Sequence, residues 1–104
     1  MSSEITWSHW SDKEPNKLFD GIQGRLLWQE GARKAFFVEI APGGKWEGID
    51  EHTNGSEELF VVSGTFNDGI RDYPAGTFVH NPKGSSHVPQ SKEGCTAFFF
   101  YPDG

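Results

Sequence analysis

The chain has 104 residues and a formal net charge of −6 at pH 7, with 15 Asp and Glu residues against nine Lys and Arg residues. This length supports one hydrophobic core, and the scattered basic residues exclude a nucleic-acid surface, which needs clustered Lys and Arg to bind phosphates. No apolar run approaches the roughly 20 residues of a transmembrane helix. We therefore predict one domain over residues 1–104 that binds neither nucleic acid nor a membrane.

Cysteine usage and the first residues of the chain bear on the cellular compartment. The sequence contains one cysteine, Cys95, which has no partner for an internal disulfide. Such a thiol is typical of proteins from a reducing compartment. Residues 1–10 lack the basic start and the apolar centre of a secretory signal peptide. We predict a cytoplasmic protein.

Glycine and proline residues divide the sequence into runs of strand length. The chain contains 13 Gly and six Pro residues, and turn pairs such as Asn54-Gly55 and Asp68-Gly69 stand between the runs. In chain order, the predicted strands are residues 24–29, 35–40, 45–52, 57–63, 69–73, 77–81, 87–91 and 96–101. A short helix within residues 7–17 is the one helical segment that we retain, because no long window has the 3.6-residue apolar period. Short, regularly spaced strands predict an all-β sandwich or small barrel.

Alternation along the predicted strands indicates which side chains share a face. If His52 points inward, Asp50 does so as well, because successive strand residues point to opposite faces. The residues expected to form an apolar floor for these polar groups are Trp46, Leu59 and Val61. Phe60 and Val62 then point outward, as a stripe that requires a second sheet or a partner. The last strand, 96–101, is apolar on both faces, which predicts burial on both sides.

Two spaced motifs contain the residues with metal-binding chemistry. The motifs are Gly44-x5-Asp50-x-His52-x4-Glu57-x6-Gly64 and Gly76-x5-Pro82-x-Gly84-x2-His87. First-row transition metals accept imidazole and carboxylate donors at about 2.0–2.2 Å, and neighbouring strands of a small barrel bring inward side chains together near its axis. The alternative is that these are ordinary polar residues of a solvated acidic loop. We predict a metal site formed by Asp50, His52, Glu57 and His87.

The spacings of both motifs resemble those of the cupin superfamily. Two positions depart from that pattern, because Asp50 stands where the first histidine is usual and Ser91 where the terminal asparagine is usual. The resemblance implies an all-β fold of the double-stranded β-helix type, the cupin jelly-roll barrel. It also implies that His52, Glu57 and His87 are metal ligands, because these residue types match the motif. Asp50 matches the position of a ligand but not its residue type.

Other segments are similar to one branch of that superfamily, the ChrR-like cupins. The similarity lies in residues 57–68, 72–77, 82–87 and 93–96. The branch includes the C-terminal domain of ChrR-type anti-sigma factors and stand-alone metal enzymes, among them a β-diketone-cleaving dioxygenase. The resemblance implies a stand-alone, single cupin domain with motif one at about 44–64 and motif two at about 76–91.

Asp50 leaves three hypotheses open for the site. If it binds, two carboxylates neutralise a divalent ion and favour harder ions such as Mn²⁺ or Fe²⁺ over Cu²⁺. If it does not bind, the two histidines and Glu57 form a triad typical of non-haem Fe(II) oxygen chemistry. In the third case the departure abolishes metal binding, as in some cupin relatives. His80 is either a further donor or a surface histidine, and we favour the surface position.

We predict a divalent transition metal, Fe, Mn, Zn or Ni, and no organic cofactor. The leading hypothesis is an oxygenase that acts on a small organic substrate, with no individual catalytic residue assigned. The alternative is a non-catalytic sensor or regulatory module related to the C-terminal domain of ChrR-type anti-sigma factors. Because cupins commonly pair through outer strand faces, the resemblance and the stripe of Phe60 and Val62 together predict a homodimer.

Overall fold

The computed structural model describes residues 3–104, so residues 1 and 2 of the predicted domain lie outside the described residues. Within residues 3–104 the chain forms one 3-10 turn, Trp10–Asp12, and nine β-strands. The strands are β1 (Asn16–Phe19), β2 (Ile22–Glu30), β3 (Arg33–Ile40), β4 (Asp50–Glu51), β5 (Glu57–Asn67), β6 (Asp72–Pro74), β7 (Phe78–Asn81), β8 (Ser86–His87) and β9 (Cys95–Tyr101). The all-β prediction is confirmed. No helix of the described chain is long and apolar enough to cross a membrane.

The described strands form two antiparallel sheets. The larger sheet has the strand order β1-β2-β3-β9-β5-β6, with β7 also paired to β5, and the smaller sheet contains β4 and β8. The last strand, β9, therefore lies between β3 and β5. This crossover joins the two halves of the chain in a double-stranded β-helix, and it brings residues from the end of the chain to the start of β5.

The inward side chains of the larger sheet form the hydrophobic core. Along β5, buried positions alternate with more exposed ones from Glu57 to Val62, so Leu59 and Val61 lie inside as predicted. The buried cluster contains Ile22, Val38, Ile40, Leu59, Val61, Phe66, Cys95, Ala97 and Phe99. Burial of each large apolar side chain stabilises the fold by about 1.5–3 kcal/mol.

The predicted strands at the start of motif one and at the end of motif two are shorter in the structure. The segment 45–52 contributes only the two residues of β4 and an isolated bridge from Lys45 to Gln90. Gly48 has a φ of 87°, outside the range of extended strands, and the chain turns there. The partner segment 87–91 is interrupted in the same way, since β8 contains only two residues.

The segment before β2 also differs from the prediction. A 3-10 turn over Trp10–Asp12 is the only helical element that the described residues form within 7–17, and the chain then enters β1. The sequence analysis missed β1 because its first three residues are exposed and show no apolar alternation. Pairing with β2, rather than a pattern of its own, makes this segment a strand.

The prediction that β9 is buried on both sides is wrong. Phe98 is 37% exposed on the outer face of the sheet. It pairs with Phe37 on β3 and with Phe60 on β5, which in turn pairs with Phe78 on β7. We call these four phenylalanines the outer aromatic row. The Trp10 ring stacks on Phe37 at a centroid distance of 4.9 Å, whereas Phe60 and Phe78 remain 43% and 62% exposed.

We expect Gly64→Ala to destabilise the protein more than Gly43→Ala. Both glycines have a positive φ, 71° and 82°, which costs an alanine about 1–2 kcal/mol. A Cβ on Gly64 would lie 2.1 Å from the Gly94 carbonyl oxygen, whereas a Cβ on Gly43 would meet no heavy atom within 4 Å in the described residues beyond its chain neighbours. Since β5 and β9 would have to separate, Gly64→Ala should lose about 1–3 kcal/mol more. Urea unfolding measures both losses, and equal values would contradict this account.

Candidate metal centre

The structure brings the four residues of the predicted metal site together. One donor atom from each of Asp50, His52, Glu57 and His87 lies within 4.8 Å of the others. Asp50 and His87 are direct partners in the pairing of β4 with β8, and Glu57 is the first residue of β5. The four positions therefore converge because a short sheet joins the two motifs.

His52 is held in place through its backbone. Its N–H donates to the Ser85 carbonyl oxygen at 2.9 Å, and its own carbonyl oxygen accepts from the Gly84 N–H at 2.7 Å. Gly84 has a φ of 89°, a conformation that favours glycine. The turn of motif two thus positions the imidazole of motif one, which explains why the two motifs occur together.

Three distances between the donor atoms are close to those expected around a single metal ion. His87 Nε2 lies 3.2 Å from Asp50 Oδ2 and 3.3 Å from Glu57 Oε1, and His52 Nε2 lies 3.6 Å from the same Glu57 oxygen. Two ligands at about 2.1 Å from one ion, at tetrahedral or right angles, lie about 3.0–3.4 Å apart. The side chains therefore need to move little to coordinate a divalent ion.

Two buried nitrogens of the cluster have no hydrogen-bond partner among the described residues, His52 Nε2 and His87 Nδ1. A buried polar atom without a partner costs about 1–3 kcal/mol. His52 Nε2 points at the cluster, where a cation would give it a partner. This orphaned nitrogen and the mixed imidazole and carboxylate donors fit a divalent transition metal.

The Glu57 carboxylate is 0% exposed and is oriented from two other strands. Its Oε2 accepts a hydrogen bond from the Tyr101 hydroxyl at 2.7 Å, and its Oε1 accepts one from Asn81 Nδ2 at 3.3 Å. Tyr101 lies on β9 and Asn81 lies opposite Glu57 on β7. The sequence analysis missed these partners, because only the strand order shows that β7 and β9 flank the start of β5.

The buried environment shifts the proton affinities of these groups. Burial raises the pKa of Glu57 to about 7, against the opposing effects of His87 and the Tyr101 hydrogen bond. Burial, together with the nearby charge of His87, lowers the pKa of His52, which favours the neutral imidazole that binds metals. Burial and the Glu57 carboxylate raise the pKa of Tyr101, so its hydroxyl stays protonated and remains the donor to Glu57.

The cluster forms part of the wall of a cavity of about 310 Å³. Asp50 and His52 line this cavity, whereas Glu57 and His87 are buried and do not line it. Trp46 lines the cavity as predicted, but the other two residues of the predicted floor do not. Leu59 and Val61 lie in the core instead, because the apolar part of the lining comes mainly from β2, β3 and β9.

Two further polar residues of the motifs lie away from the cluster. His80 lies on the outer face of the sheet and contacts the carboxylate of Glu58, so it is a surface histidine. Ser91, at the position where cupins usually have asparagine, is buried and donates to the Thr65 carbonyl oxygen at 2.6 Å. Its hydrogen bond ties the loop before β9 to β5.

Comparisons with known proteins identify the family and the fold. The family model described as a ChrR Cupin-like domain matches residues 3–102. No curated protein sequence matches the chain. An RmlC-like cupin from Shewanella frigidimarina is 18% identical, with a TM-score of 0.82, over 100% of this chain and 96% of that chain.

Two further solved structures have the same fold. KdgF from Halomonas sp. is 16% identical over 97% of this chain and 96% of that chain, with a TM-score of 0.79. The anti-sigma ChrR, solved in complex with SigE from Rhodobacter sphaeroides, is 21% identical over 88% of this chain and 50% of that chain, with a TM-score of 0.75. These likenesses confirm the predicted double-stranded β-helix.

We expect the metal-free protein to lose stability as the pH rises through about 7. The pKa of Glu57 is raised from 4.5 to about 7 in the folded state. The folded state therefore binds this proton more tightly than the unfolded state, and the resulting stability is complete below about pH 4.5 and lost above about pH 7. Glu57→Gln removes this dependence while keeping an acceptor for Tyr101.

The test measures the free energy of unfolding in urea at about pH 5.5 and about pH 8.5. It compares the wild type with Glu57→Gln after both have been treated with a chelator. The advantage of the variant in free energy of unfolding should grow by about 2 kcal/mol between these values. Glu58→Gln is the matched control, because the neighbouring carboxylate contacts His80 on the outer face. An advantage that stays constant with pH would contradict the assignment of this proton to Glu57.

Proposed function

The chain belongs to the ChrR cupin-like family, and from this premise we propose that it is a metal-dependent enzyme whose ion is bound by Asp50, His52, Glu57 and His87. The observation that carries the proposal is the position of this cluster on the wall of a cavity of about 310 Å³. A structural metal site is closed by its protein ligands, whereas a catalytic site keeps a position open to substrate. Asp50 and His52 line the cavity, which supports an open site.

The donor set supports Fe, Mn, Zn or Ni, with the harder of these ions favoured. Glu57 uses one oxygen for Tyr101, so it presents one oxygen to the cluster. Asp50 is the most exposed donor, with a side chain that is 23% exposed, and the other three ligands lie deeper. Those three form a two-histidine, one-carboxylate set of the kind that holds non-haem Fe(II).

We propose that the reaction is an oxygenation of a small organic molecule. A bound Fe(II) ion would bring O₂ and the substrate together, and a dioxygenation takes its electrons from the substrate, because both oxygen atoms enter it and no separate reductant is needed. The chain's own residues orient the ion and exclude water. Tyr101 holds Glu57, the paired strands β4 and β8 hold Asp50 and His87, and the apolar wall of the cavity accepts the hydrocarbon part of the substrate. A reducing compartment such as the cytoplasm would keep both Fe(II) and the Cys95 thiol reduced.

Replacement of His87 by Ala should remove most of the bound metal. Without it, the remaining donors come from one short segment, and we expect affinity to fall by more than about 100-fold. Asp50→Ala should reduce affinity less, because Asp50 is the most exposed donor. His80→Ala is the matched control, since this histidine lies on the outer face. Elemental analysis after metal loading and desalting measures occupancy, and equal occupancy of wild type and His87→Ala would refute the site.

Protein reconstituted anaerobically with Fe(II) should consume O₂ with at least one member of a panel of diketones, hydroxy acids and phenols. Uptake should disappear in His87→Ala and persist in His80→Ala. An oxygen electrode measures the rate, and product analysis tests whether oxygen atoms enter the substrate. Metal-loaded protein that consumes no O₂ with any compound would contradict the oxygenase and favour the non-catalytic sensor.

We also propose that two copies pair through the outer aromatic row. Phe60 and Phe78 are large exposed apolar residues on neighbouring strands, and Val62 on β5 is 49% exposed beside them. Sedimentation equilibrium at micromolar concentration should show a dimer, and Phe60→Asp should convert it to a monomer that retains its metal. A monomeric wild type would contradict this pairing.

A further inference from the structure

The cavity beside the candidate metal centre has an apolar wall with a restricted volume. Its apolar lining includes Ile22 on β2, Phe36 and Val38 on β3, and Phe99 on β9. Since ligand pockets usually have volumes of about 300–1,000 Å³, a cavity of about 310 Å³ lies at the small end of that range. Its occupant is therefore a small molecule with a substantial hydrocarbon part.

Lys34 is the one Lys or Arg residue among the described residues that line this cavity. It lies two positions before Phe36 and four before Val38 on β3, so the three side chains share the inward face of the strand. Its direct partner on β9 is Tyr101, the residue that donates to Glu57. Strand register thus places the lysine next to the residue that orients the metal cluster.

Lys34 is partly buried, and its ammonium forms no ion pair or hydrogen bond within the described part of the chain. Other basic residues of the sheet are paired, as Arg25 is with Glu39. A partly buried cation without an acidic partner gains from an anion that enters the cavity. The lining of the cavity therefore presents one unpaired positive charge beside an apolar wall.

The charge of the metal centre points to the same ligand. Asp50 and Glu57 together neutralise a divalent ion, so the loaded cluster attracts an anion weakly. Glu51, the other acidic side chain of the described lining, is exposed and screened by water. The partly buried Lys34 then favours an occupant with a single negative group. We propose that the substrate is a small, largely apolar monocarboxylate whose carboxylate binds Lys34. This inference rests on the proposed function, which places a metal ion at the other end of the cavity.

Calorimetry with phenylacetate and phenylacetamide tests the proposal. The two probes have the same ten non-hydrogen atoms and differ in charge, so the comparison isolates the carboxylate. Zn²⁺-loaded protein should bind phenylacetate about 10- to 100-fold more tightly, which is the usual effect of a hydrogen bond to a charged group. Lys34→Gln should remove the preference and Lys34→Arg should retain it. Lys92→Gln, at an exposed position outside this cavity, should leave it unchanged.

Each outcome bears on one proposal at a time. Equal affinity for the two probes, or a preference that survives Lys34→Gln, would overturn the role of Lys34. Metal content measured on the same samples separates this result from a failure of the metal site. Protein that binds Zn²⁺ without preferring the carboxylate refutes this inference alone, whereas a carboxylate preference without metal binding refutes the metal-dependent function alone. Circular dichroism and the Lys34→Arg variant distinguish lost recognition from lost folding.

Discussion

The carboxylate of Glu57 is fully buried, and the energetic cost of that burial governs the arrangement of the site around it. A buried charge without partners is strongly destabilising. Tyr101 and Asn81 donate to the carboxylate, while the imidazoles of His87 and His52 face its Oε1. These partners come from four separate segments of the chain. Satisfying one buried group therefore requires the halves of the barrel to meet at this point.

The hydrogen bonds to Glu57 also determine which of its oxygens faces the cluster. Tyr101 occupies Oε2, so Glu57 presents Oε1 to the cluster, and the more exposed Asp50 lies on the side of the cavity. Two carboxylates would balance a divalent ion bound by the cluster, and Lys34 is the one basic side chain in the described lining of the cavity. If the proposed metal is bound, the cavity has a neutral metal end and one cationic side chain, at the position paired with Tyr101.

Strand β9 contributes side chains to both the cavity and the outer face of the sheet. Because side chains alternate along a strand, Phe99 and Tyr101 point to the cavity, whereas Phe98 joins the outer aromatic row. One face of the strand thus lines the cavity, and the other face leaves Phe98 partly exposed. An apolar strand in the middle of a sheet is thus not necessarily buried on both sides.

Local spacing along the sequence determined the all-β class, the alternation of β5 and the four residues that form the cluster. Glycine turns and period-two patterns can be read from the sequence because they depend on residues that are neighbours in the chain. The metal ligands themselves stay a prediction, as does the oxygenase. Only the tertiary structure decided that Tyr101 and Asn81 hold Glu57, that Lys34 lines the cavity and that Phe98 is exposed. The physical reason is that strand order and register join residues far apart in sequence, and no local pattern encodes which strands become neighbours.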